Sequence, residues 1–190
     1  MAEDIFEDRR RALEEAFFRK YNGQLLDRLK AEDRRRDAKE SLRQATGIRD
    51  DAVLDRLVNL GFDASTLLAF GLVPAIEVAW ADGAVDPEER TAILEELSPH
   101  RIPKGSPAYE MIASWLARRP PPEVFDTWVA YTRALLPTLE PRDREWLAST
   151  ILQRAEHTAD ASGGVLGLAL RTSRSEAEVI RRIEQALAGV

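Results

Sequence analysis

Of the four carboxylates in the short stretch Ala81-Asp82-Gly83-Ala84-Val85-Asp86-Pro87-Glu88-Glu89, three, Asp82, Asp86 and Glu89, are placed around one turn. Side-chain oxygens gathered around one tight turn are the ligands a hard cation takes, so calcium, magnesium and manganese are the candidate cofactors. The EF-hand pattern does not fit. Counted from Asp82, its ligand and glycine positions fall on Ala84 and Pro87, and its final glutamate falls on Ile93. The same residues also read as helix punctuation. Gly83 can take the left-handed backbone that ends a helix, with Asp82 in the last helical turn. Asp86 can cap the next helix, Pro87 suits its first position, and Glu89 completes a capping box. Capping alone accounts for the pattern, and both readings stand at this level.

A weaker echo occurs downstream. Ala159-Asp160, Ser173 and Glu176 repeat the order of helix end, loop, and cap followed by glutamate three residues on, with a longer loop. If two related halves pack with approximate two-fold symmetry, Asp160 and Glu176 approach the first turn. The expected oxygen-rich site is then Asp82, Asp86, Glu89, Asp160 and Glu176. Other chemistry has little to stand on. His100 and His157 lack a second histidine at helical zinc-site spacing. There is no cysteine, no Gly-x-Ser-x-Gly elbow and no phosphate-binding glycine loop. The expectation is a protein that is not an enzyme. Glu77, alone among apolar neighbours, is either a buried acid with a raised pKa or simply exposed.

The elements that must position these groups are helices. Residues 3–22 carry Leu13, Phe17 and Tyr21 at helical spacing, and Gly23 offers a break before a second, highly charged helix over residues 24–45. Residues 1–46 are thus expected to form a charged helical hairpin that packs on the body, with self-association as the other possibility. Gly47 ends that region, and residues 47–190 form the main bundle. Asp50 or Asp51 caps a short helix up to Gly61, and Asp63 caps the next. Residues 67–81 are apolar almost all round, the mark of a central helix, with a kink expected at Pro74. Further helices are expected from Pro107, from Pro122, after Glu140-Pro141, and from Ser173 to Leu187. Val165 to Leu170 is apolar and reads either as a helical turn or as a buried loop. Trp80, Trp115, Trp128 and Trp146 each fall in a helical stripe and are assigned to the core. No run alternates with period two, so the fold class is all-α.

Composition limits the partners. In 190 residues, 44% hydrophobic and 32% charged, with net charge -6, the first fifty hold 13 Lys/Arg against 12 Asp/Glu. The acidity therefore belongs to the remainder, which disfavours nucleic acid as a partner. The stretch from residue 64 to 81 is interrupted by Pro74 and Glu77 and barely reaches spanning length, so no transmembrane segment is expected. The N-terminus lacks the order of a secretory signal, and with no cysteine the default location is the cytoplasm. An unknown protein partner, met through the N-terminal hairpin, is the remaining expectation.

The run Ile76-Glu77-Val78-Ala79-Trp80-Ala81-Asp82-Gly83-Ala84-Val85-Asp86-Pro87-Glu88-Glu89 resembles the signature of the TerB-like tellurite-resistance domain family. Asp160, Gly163-Gly164 and Ser173 to Glu176 resemble that family's second motif, so the likeness covers about residues 62 to 188. The resemblance implies a compact helical bundle of two related halves, acidic positions suspected of binding metal, and a place in stress or tellurite-resistance responses. Related domains also precede J-domains in some membrane co-chaperones. By matching position it implies roles for Asp82, Asp86 and Glu89, and for Asp160 and Glu176. The longer second loop and the N-terminal segment depart from the family's pattern.

Overall fold

The computed structural model describes the backbone at residues 2–95, 97, 102–162 and 173–188, and the side chains there except at 2–19, 21, 23 and 162. The described residues form helices and connecting turns, with no strand among them. In chain order the helices are α1 (Ala2–Thr46), α2 (Asp51–Asn59), α3 (Leu67–Phe70), α4 (Val73–Ala79), α5 (Pro87–Glu95) and α6 (Pro107–Ala117). They continue with α7 (Pro122–Leu135), a 3-10 turn (Leu136–Thr138), α8 (Pro141–Ser162) and α9 (Arg174–Ala188).

The first departure from expectation is at the N-terminus. Residues 2–46 form one helix of 45 residues, not a hairpin, and its length is about 67 Å. Gly23 lies inside it. An interior glycine costs only about 1 kcal/mol relative to alanine, and Gln24, Leu25, Leu26 and the charged run behind them are good helix formers, so the helix continues. Gly47, by contrast, has φ 71° and does end it.

Only the last quarter of α1 meets the body, beginning where the Arg35 guanidinium donates to Asn59 Oδ1 at 2.5 Å. From Gln24 to Asp37 every side chain is exposed, Ala38 and Lys39 are partly covered, and Leu42 is fully buried. Leu42 packs with Val53, Leu54 and Leu57 of α2 and with Trp128 of α7 in one core. At its rim Lys39 Nζ lies 2.8 Å from Asp55 and 3.6 Å from Asp51, and Arg43 lies 2.7 Å from Asp51. The last turns of α1 therefore belong energetically to residues 47–190.

Asp50 accepts from the N–H groups of Ala52 and Val53 at 2.9 and 3.3 Å, capping α2 as its sequence position requires. Replacing Asp50 with alanine is expected to cost about 1 kcal/mol, read as a lower urea midpoint with unchanged slope. An unchanged midpoint would show that the cap contributes nothing here.

The central apolar stretch is two helices, α3 and α4, separated at Gly71 and Leu72. Pro74 does not kink it. Proline sits in the first turn of α4, where its missing N–H has no helical partner to lose. Ile76 and Ala79 of α4 pack in a second apolar cluster with Ile93 of α5 and Ile112 of α6, while Val78 faces the first core. Ser106 caps α6 by accepting from the Tyr109 N–H at 3.2 Å, and Pro122 opens α7. Three of the four tryptophans are wholly or partly covered. Trp146 is 65% exposed, against its expected place in the core. Helical spacing fixes which residues share a stripe but not which side of that stripe meets a neighbour.

Candidate functional site

The local chemistry at the Asp-Gly turn is built by caps. Helix α4 ends at Ala79, so Asp82 lies in the turn beyond it and not in its last helical turn. Its carboxylate accepts from the Ala84 N–H at 3.2 Å. Gly83 has φ 101°, a backbone that L side chains rarely adopt, which fixes glycine at this point of the reversal. Helix α5 then opens with Pro87, and the Asp86 N–H donates to Glu89 Oε2 at 2.8 Å. This is the reach-back half of a capping box.

The echo repeats the reach-back bond and adds the forward cap. At the start of α9 the Ser173 N–H donates to Glu176 Oε2, and the Glu176 N–H donates to Ser173 Oγ at 3.1 Å. Both capping glutamates are buried, Glu89 with 3% and Glu176 with 6% of its surface exposed. Glu89 also feels the charge of Glu176. Burial, opposed by the hydrogen bond from the Asp86 N–H, raises the Glu89 pKa to about 7, and the negative charges of Asp86, Glu176 and Asp82 add to the rise. Two glutamates from helix starts some ninety residues apart are thus brought into electrostatic range by the packing of α5 and α9 about α8 and α4.

The expected five residues are not all gathered. Asp160 is exposed near the end of α8, unlike the buried pair of glutamates in its solvation. Asp82 and Asp86 are at least partly exposed, whereas Glu89 and Glu176 are inside. Among the described residues no three carboxylate or histidine side chains lie together as a metal cage. The oxygens present have the chemistry a hard cation takes, and those of Asp82, Glu89 and Glu176 accept from nearby backbone N–H groups. Gly163 and Gly164 of the second motif, the apolar run Val165 to Leu170, and His100 lie outside the described residues.

Several features were not legible in the sequence. Glu77 is neither exposed nor a lone buried acid: Arg119, from the connection between α6 and α7, reaches it at 3.2 Å. Trp80 donates its indole N–H to the Trp115 carbonyl at 2.8 Å, tying α4 to α6. His157 is exposed on α8 and borders a shallow depression with Glu88, Thr91 and Glu95 of α5. An apolar cleft of about 260 Å³ opens between α3, α7 and α8, with Leu68, Tyr131, Ile151 and Arg154 on its wall. Burial pushes the Tyr131 phenol up to about 12, so it stays neutral there. Among the described residues no helix is long and apolar enough to cross a membrane. Comparison with protein-family models, with curated proteins and with solved structures finds no match to this chain.

Proposed function

We propose that this chain is a non-enzymatic, TerB-like helical protein of the cytoplasm, acting in a stress or tellurite-resistance-associated assembly. In this reading its acidic helix starts respond to a divalent cation. The observation that carries it is the pairing of Glu89 and Glu176: two capping-box glutamates, each at the start of a helix following an Asp-containing segment, both buried, with the charge of Glu176 acting on Glu89. A buried carboxylate crowded by others is stabilised by any cation that lowers the local negative charge. Asp82 and Asp86, more open to solvent at the same turn, are the first groups such an ion would meet. Asp160, on the last turns of α8, is a peripheral member in this scheme. With every donor an oxygen, calcium, magnesium or manganese is the fitting class. Without a ready-made cage, binding is weak.

Calorimetric titration with each of the three ions tests this directly. The expected result is a dissociation constant on the order of 10⁻⁴ to 10⁻³ M, weakened on going from pH 8 to pH 6 as Glu89 takes up its proton. Asp82→Ala and Asp86→Ala should each reduce the heat while leaving the helical circular dichroism intact. Null titrations for the folded parent protein would remove the cation from the reading. A second reading, a pure interaction or scaffold module with no metal site, is favoured by the long exposed portion of α1.

A further inference from the structure

The portion of α1 that leaves the body has no covering element among the described residues. From Gln24 to Asp37 every residue is exposed, including Leu25 at 46%, Leu26 at 55% and Leu29 at 48%. Long helices in water owe most of their stability to packing on an apolar face, and three neighbouring exposed leucines on a helix are such a face left open. The charge along the helix is segregated. Residues 2–18 hold six acids against three arginines, and residues 19–36 hold seven bases against three acids.

We infer that α1 pairs antiparallel with α1 of a second copy of this chain. A parallel pair sets the acidic segment beside its own copy and the basic segment beside its own. An antiparallel pair sets each acidic segment against a basic one, and opposite charges along a helix pair choose its orientation. An overlap centred at residue 19 places Leu13 level with Leu25 and Phe17 level with Tyr21. It also brings Glu3 and Asp4 of one copy level with Arg35 and Arg34 of the other, and Asp8 level with Lys30. The overlap ends at Arg36, before the partly covered Ala38 and Lys39, and meets the body only where Arg35 donates to Asn59 at the end of α2. The two bodies then sit at opposite ends of a rod and do not collide.

Sedimentation equilibrium of the full chain measures the copy number. The expected result is about twice the 21.3 kDa chain mass at low salt, shifting toward the monomer in 1 M salt, where the screening length falls to about 3 Å. The triple change Leu25→Glu, Leu26→Glu, Leu29→Glu should give a monomer with unchanged tryptophan fluorescence, since none of the three touches the body core. Orientation is read separately. The chain has no cysteine, so a single Arg28→Cys carries one spin label, and in an antiparallel pair the two labels lie about 30 Å apart along the axis. Labels in side-by-side proximity would overturn the orientation. A monomer at low salt and high concentration, including one in which α1 folds back on its own chain, would overturn the pairing altogether.

Discussion

Replacing Glu89 with glutamine is expected to stabilise the protein at pH 8 and to remove a fall in stability between about pH 4.5 and pH 7. The sign comes from the direction of the shift. The Glu89 pKa in the folded protein, about 7, stands above the ordinary 4.5, so between these values the folded state holds a proton that the unfolded state has released. Its favourable contribution is complete below about pH 4.5 and is lost as the pH rises through 7. Above that, the ionised carboxylate is held in a buried position among Asp86, Glu176 and Asp82. Glutamine keeps a carbonyl oxygen for the Asp86 N–H but carries no charge. The gain at pH 8 is about 1 to 2 kcal/mol, less than the full shift implies because Asp82 and Asp86 are solvated and screened. Urea denaturation of parent and variant across pH 5 to 8 measures the difference. Parallel pH profiles would show that Glu89 titrates normally. Alanine at the same position loses the acceptor as well as the charge and should be about 1 kcal/mol less stable than glutamine. If a divalent cation occupies this region, adding it at pH 8 stabilises the parent and leaves the glutamine variant unmoved.

Leu42→Ala should lower stability by about 2 to 5 kcal/mol, whereas Leu25→Ala, on the same helix, should change the stability of the isolated monomer by less than about 0.5 kcal/mol. Leu42 is fully buried beside Val53, Leu54 and Leu57, so truncation removes apolar contacts and leaves a cavity bounded by two helices. Leu25 is half exposed and touches no body residue in the core clusters. Denaturant melts at a concentration where the chain is monomeric separate these effects from pairing of α1. Equal losses at both positions would mean that the exposed part of α1 contributes to the same cooperative unit as its last turns.

Much of the fold was legible because helix ends carry local chemistry. Asp50, Pro107, Pro122, Pro141 and Ser173 each act within one turn of their own helix, and each boundary lies where capping and proline geometry place it. Gly23 misled because the same residue type either terminates a helix or rides inside it, and the residues after it decide between the two. Here strong helix formers come next, with no cap and no proline. Pro74 misled in the opposite sense, since a proline read as a kink inside a long helix is equally at home in the first turn of a short one. Trp146 shows the limit of periodicity. Its stripe is genuine, but its side chain stays largely in water on α8.

The chemistry of the candidate site was half written in the sequence. Asp82, Asp86 and Glu89 lie close in the chain, and the spacing of Glu89 from Asp86 and of Glu176 from Ser173 specifies two capping boxes, because a glutamate three residues into a helix can reach the cap N–H wherever the helix lies. Those reach-back bonds are formed. What sequence could not decide is which carboxylates share an environment. Only the packing of α5 and α9 on α8 and α4 brings Glu89 under the charge of Glu176, buries both, and leaves Asp160 in water. Hydrogen bonds to neighbouring backbone act over three residues and are set locally, whereas burial and charge repulsion between distant helices depend on where those helices are docked.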